Sequence, residues 1–259
     1  MCEREEKIIE EFGIRHAEWD LSSLMEFTNI LKENKLLSSS FVNIQDISGQ
    51  TVLMFAFQYL KLYLTEGTVK LLLDAGANPD IQTKSGSTAL MFASTYANTD
   101  STEGMVRILL DAGANPDIQD QDGYTALMYA SQYSNTRSTE GTVKILLDAG
   151  ANPDIQNESG WTALMYAAKY SDREGVVKLL LDAGANPDFQ DIFGWTALMW
   201  ASQCSKTTSS EKIVKMLIGA NANVNLKDIA GLTALIIAYR NGNTSTENTI
   251  QILRDAMFI

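Results

Sequence analysis

The chain has 259 residues with a formal net charge of −12 and no basic stripe, a balance that argues against nucleic-acid binding and is compatible with a basic protein surface as partner. Its two cysteines, Cys2 and Cys204, form no disulfide framework, which suits a reducing, cytoplasmic setting. No apolar run reaches the length of a membrane span, and the acidic start Met1-Cys2-Glu3-Arg4-Glu5-Glu6-Lys7 does not read as a signal peptide.

From Asp46 onward one unit recurs. Aligned on Gly-x-Thr, copies begin at Asp46, Thr83, Asp120, Asn157, Asp191 and Asp228, spaced by 37, 37, 37, 34 and 37 residues. A fixed period in this range means a solenoid. Residues 1–45 lack the signature but carry two apolar helical stripes, Ile8, Ile9, Phe12 and Leu21, Leu24, Met25, Ile30, Leu31. They read as a degenerate unit that caps the N-terminal end, or as a separate targeting helix. The unit at 46–82 differs in its helix–helix turn, Tyr59-Leu60-Lys61-Leu62-Tyr63-Leu64, which packs on the cap or forms an exposed patch.

The units at 83–119, 120–156 and 157–190 are nearly uniform. In the 120–156 copy Thr125 is placed to cap a short helix carrying Leu127 and Ala130 on one face. Ser138 or Thr139 can cap a second helix with Glu140 in its first turn, where the dipole favours an anion. Val143, Leu146 and Leu147 form its buried stripe, and Gly150 ends it where φ must be positive. Asn152-Pro153-Asp154 then opens an extended, turn-rich finger. All four prolines, Pro79, Pro116, Pro153 and Pro187, share this one finger position. Gly67, Gly104, Gly141 and Gly175 stand at the start of second helices despite the cost in helix propensity, which points to a close approach there. In the unit at 191–227 Asn221 replaces the helix-ending Gly, and Asn tolerates the left-handed region. The unit at 228–259 reads as the C-terminal cap. Arg254 stands there at the position of Leu73, Leu110, Leu147, Leu181 and Ile218, a charge that fits only where nothing stacks on it.

These units resemble ankyrin repeats, whose pattern is Gly-x-Thr-Pro-Leu-His, then Val-x-x-Leu-Leu, then Gly-Ala-Asp-x-Asn. Gly123, Thr125, Leu127, Val143, Leu146, Leu147, Gly150 and Ala151 match it, and the resemblance covers about 46–259. It implies an all-α solenoid of helix–turn–helix units with extended finger loops. Thr-Ala-Leu-Met replaces Thr-Pro-Leu-His, so the family's Thr–His hydrogen bond is lost and Met128 is expected to pack in its place. The inter-helix turn is about three residues longer than in the 157–190 copy everywhere else. This style is similar to ankyrin proteins of large DNA viruses and intracellular bacteria, which implies a host protein as target and the host cytoplasm as location.

Catalytic chemistry finds no support. His16 is the only histidine, Cys204 has none near it in its unit, and the glycines recur as repeat signatures rather than as a phosphate loop. Asp80, Asp117, Asp154 and Asp188 are separated by whole units, so they are not expected to surround one ion. The sequence is therefore read as non-enzymatic, without metal or cofactor.

What varies between copies is more informative. The residue between Gly and Thr runs Gln50, Ser87, Tyr124, Trp161, Trp195, Leu232, and the resemblance implies that this finger position faces the concave groove. Phe193 stands beside it, and Tyr96, Tyr133 and Tyr170 end first helices. These aromatics form a candidate binding ladder, or rings that only pack on neighbouring fingers and stiffen the stack. The expected function is a monomeric scaffold or adaptor binding a partner protein, one with a basic-rimmed apolar surface, through an aromatic and acidic face. The alternative is an assembly protein that self-associates through the 59–64 turn or the 257–259 tail.

Overall fold

The computed structural model describes residues 39–58, 66–96, 100–133, 139–169, 173–203, 208–240 and 246–257. Most of the 1–45 cap, with His16 and Cys2, lies outside them. So do Cys204, Tyr170, the turn 59–64, the Phe258-Ile259 tail and the side chain of Tyr96.

The described residues are all-α. After a short α1 (Ser39–Val42), helices come in pairs: α2 (Val52–Gln58) with α3 (Glu66–Asp74), α4 (Ala89–Tyr96) with α5 (Asp100–Asp111), and α6 (Ala126–Tyr133) with α7 (Glu140–Asp148). The pairs continue with α8 (Ala163–Lys169) and α9 (Glu174–Asp182), α10 (Ala197–Gln203) and α11 (Thr208–Gly219), and α12 (Ala234–Arg240) and α13 (Thr246–Ala256). First helices pack chiefly on first helices of adjacent units and on their own partner, and second helices do likewise. Two parallel rows result, with the fingers as a third row. Among the described residues there is no strand, only an isolated bridge between Gln45 and Thr51.

The local chemistry follows the sequence. Thr125 Oγ1 accepts from the Met128 N–H at 3.3 Å, and Thr139 Oγ1 from the Thr142 N–H at 3.1 Å, each satisfying an orphan donor of a first turn. Gly150 takes φ 87°, and the N–H groups of Gly150 and Ala151 reach back to the carbonyls of Leu147 and Leu146. Asn221 does the same work with φ 61°. Val143, Leu146, Leu127 and Ala130 are buried between the two rows. Met54, Met91, Met128, Met165 and Met199 are all buried too. Met54 and Met91 Sδ accept from the N–H of Thr51 and Thr88, which occupies the place left by the missing histidine.

Three glycines at the start of second helices each have a specific neighbour. A Cβ on Gly104, Gly141 or Gly175 would meet the carboxylate of Glu66, Glu103 or Glu140 from the preceding unit. These glutamates thus lie over the N-terminus of the next second helix, where the helix dipole favours an anion. Glu103 also accepts from the Thr139 hydroxyl. Where the glycine is replaced, a donor takes its place: Lys212 Nζ reaches Glu174 Oε2 at 3.1 Å, and Asn248 Nδ2 donates to Glu211 Oε1 at 3.1 Å. One acid therefore joins successive units, by close approach or by a bond.

Fingers are joined by three further ladders. Main-chain N–H groups of Lys84, Gln121, Glu158, Ile192 and Ile229 donate to carbonyls of the preceding finger at 2.9–3.1 Å. Gln82, Gln119, Gln156 and Gln190 each donate Nε2 both to their own finger's glycine carbonyl and to a carbonyl one unit ahead. The third ladder uses the finger aspartates: Asp80, Asp117, Asp154 and Asp188 Oδ1 accept from the N–H of Asn115, Asn152, Asn186 and Asn223. These acids stitch adjacent units, and no group of His, Cys, Asp or Glu suited to a metal ion occurs among the described residues.

At the C-terminal end the stacking position changes character. Where inner units place Ser94, Ser131, Ala168 or Ser202, all buried, the last places an exposed Tyr239. The Arg254 guanidinium lies over the Tyr239 ring, 5.3 Å from its centroid, and donates to its hydroxyl. Arg254→Leu is expected to uncover this ring and promote association, with little change in helical circular dichroism. Light scattering at rising concentration checks it; an unchanged monomer would show that the pair does not protect the end.

Candidate functional site

The fingers return to the first helices through Gly-x-Thr, so the x position and the residue five places on meet at this junction. In the 120–156 unit these are Tyr124 and Tyr129, in 157–190 Trp161 and Tyr166, and in 191–227 Trp195 and Trp200. Their rings form one unbroken row. Tyr129 stacks on Tyr124 at 5.2 Å between centroids, Tyr124 meets Tyr166 at 5.6 Å, and Tyr166 meets Trp161 at 4.8 Å. Trp161 then meets Trp200 at 4.5 Å and Trp200 meets Trp195 at 4.6 Å.

Hydrogen bonds fix the inner rings. Tyr129 donates its hydroxyl to Asp120 Oδ2 at 2.6 Å, and Trp200 Nε1 donates to Asp191 Oδ2 at 3.3 Å. Tyr166, only 7% exposed, donates to the Tyr124 hydroxyl at 2.6 Å and accepts from Asn157 Nδ2 at 3.0 Å. Burial, then the bond to Asp120, pushes the Tyr129 phenol well above its ordinary range; burial, then the bond to Tyr124, does so for Tyr166. Both rings are therefore neutral at physiological pH. The same aspartates hold the fingers: Asp120 Oδ1 accepts from the N–H of Tyr124, and Asp191 Oδ1 from that of Trp195.

One cation joins the row. Lys169, at the end of α8, places Nζ 4.9 Å from the Trp161 ring centroid and 4.8 Å from that of Trp200.

Of the residues the sequence singled out, Tyr124, Trp161 and Trp195 are brought together. Phe193 is not part of the row: it sits at a fingertip, 54% exposed, next to Ile192. The Ile229 N–H bonds its carbonyl, and Ile229 is itself 77% exposed. Tyr133 is half-buried at the end of α6. The sequence reading missed Tyr129, Tyr166, Trp200 and Lys169. The signal was present as a second aromatic column, Phe55, Phe92, Tyr129, Tyr166 and Trp200, four residues after the Thr of the first five units.

Stacked helix pairs with cross-linked fingers are the architecture the family pattern implies, and the family model described as "Ankyrin repeats (3 copies)" matches residues 60–138 and 137–228, together more than half of the chain. The chain belongs to the ankyrin repeat family. It is similar to the crystal structure of EF0377, an ankyrin repeat protein, at 27% identity and a TM-score of 0.66. That likeness covers 78% of this chain and 96% of EF0377. Comparison with curated proteins finds no match. Ankyrin repeats are generally non-enzymatic and typically serve as protein–protein interaction scaffolds. No described helix of this ankyrin chain is long and apolar enough to cross a membrane.

Proposed function

We propose that the chain is a non-enzymatic adaptor that holds a partner protein against the ring row between Tyr129 and Trp195. One observation carries the reading. The units beginning at Asp46, Thr83 and Asp228 stack through the same finger ladders with Gln50, Ser87 or Leu232 at the x position. Stacking therefore does not require a large aromatic there, yet three consecutive units carry one. Half-buried, rigid rings bury large area on contact at small entropic cost, which makes them strong anchors. Partner contacts then centre on Tyr124, Trp161 and Trp195. Phe193 and Tyr133 are assigned to the periphery of the same face, while Tyr170 and the side chain of Tyr96 lie outside the described residues. The exposed carboxylates of Asp122 and Glu158, at the fingertips beside the row, favour a basic rim on the partner. The repeat style further assigns the partner to a host cell and the complex to its cytoplasm.

The test uses substitutions that other units already carry. Trp161→Ser with Trp195→Gln should keep the helical spectrum and lower the melting temperature by a few degrees, because ring pairs contribute only about 0.5–1.5 kcal/mol each. Affinity for a partner recovered by capture from the native cell, measured by calorimetry, should fall by at least about 2 kcal/mol. Unchanged affinity would make the row a stiffener of the stack and sink the reading.

A further inference from the structure

Three nitrogen donors on the ring row have no partner among the described residues. The indole N–H groups of Trp161 and Trp195 donate to nothing there, whereas that of Trp200 is bound to Asp191. The third is Lys169 Nζ, which lies over two indole faces and meets no carboxylate of the described residues. The two acids bonded to rings of the row cannot answer them freely. Asp120 and Asp191 each spend one carboxylate oxygen on a finger N–H and the other on a ring of the row. The tyrosines Tyr129 and Tyr166 stay neutral for the reasons given above. The row is thus an apolar strip that presents nitrogen donors and one cation, Lys169, in a chain whose net charge is −12.

We infer that Lys169 is the anion anchor of this face and that the segment of the partner lying across the row carries an Asp or Glu, flanked by apolar residues, at Lys169. The inference rests on the reading that the ring row binds a partner protein, and adds the chemistry of the contacting segment. Charge complementarity at contact decides it. The net negative charge acts over longer range and is screened beyond roughly 8 Å at physiological salt. A carboxylate at Lys169 would meet a cation whose side chain the two indoles already hold, so less conformational entropy is lost on pairing. The neighbouring indole N–H groups can donate to its second oxygen or to the segment's carbonyls. The basic rim assigned to the fingertips and this acid at the helix end would together fix the orientation of the bound segment.

The experiment pans a display library of short random peptides against the full chain and titrates the enriched peptides by calorimetry. Enriched sequences should hold an Asp or Glu between aromatic or aliphatic residues. Lys169→Met, which keeps an apolar cover on the indoles, should weaken them roughly tenfold, the worth of one hydrogen bond to a charged group. Lys169→Glu should weaken them further, and panning on that variant should enrich Lys or Arg at the same place. Peptides that need Trp161 and Trp195 but carry no acid, or that bind Lys169→Glu undiminished, overturn the anchor and leave the binding face standing. If no enriched peptide depends on Trp161 or Trp195, the binding face itself is wrong and the anchor falls with it.

Discussion

Leu146→Ala is expected to cost about 2–5 kcal/mol, as truncation of a fully buried leucine does. Leu146 is fully buried in α7, which packs on α6 of its own unit and on α5 and α9 of the neighbours. The cavity therefore opens where the two rows and two unit interfaces meet, and the flanking helices are pinned by finger ladders that oppose collapse. Leu147, one residue on, is only half-buried, so Leu147→Ala removes less area from contact and should cost clearly less. Urea unfolding followed by circular dichroism reads both. Because each unit touches only its neighbours, the Leu146 variant should also lose cooperativity and unfold in more than one step. Equal costs at the two positions would mean that the core does not run along the inner stripe of the second helices.

The fold was legible because the repeat writes the same physical demands six times. Thr125, Leu127, Val143, Leu146 and Gly150 each answer a local requirement: a cap, a stripe, a left-handed ending. The site was legible only in part. Trp161 and Trp195 stood out against Gln50 and Ser87, since variation at a framework-free position is visible in one sequence. Tyr129, Tyr166 and Trp200 did not, because an aromatic four residues after a helix cap reads as ordinary core. Only the stacking of units brings that column against the x column. Lys169 was hidden for another reason: a lysine at a helix C-terminus is what the helix dipole favours anyway, so its place between two indoles is purely tertiary. The finger aspartates carry a second role that the sequence did not show. As sequence they add to an acidic face, and in the structure one oxygen of each also accepts an N–H of the next unit.

Gly123→Ala should destabilise far more than Gly231→Ala, although the two occupy the same position in their units. Both glycines take the left-handed region, at φ 81° and φ 75°. A Cβ there costs roughly 1–2 kcal/mol in either unit. At Gly231 nothing among the described residues lies within 4 Å of the added atom. At Gly123 the added Cβ would stand 2.8 Å from Asn157 Cα and 2.8 Å from Glu158 N, main-chain atoms of the next finger that cannot swing aside. The finger pair must part, which strains the 3.0 Å bond from the Glu158 N–H to the Asp122 carbonyl and adds an overpacking cost of about 1–3 kcal/mol. The same displacement shifts Tyr124 relative to Trp161 and Tyr166, so the Gly123 variant should also alter tryptophan fluorescence, whereas the Gly231 variant should not. Chemical denaturation of both proteins, with emission spectra of the folded state, gives the comparison. Equal losses of stability with unchanged spectra would show that the glycine serves its own turn alone and not the approach of one finger to the next.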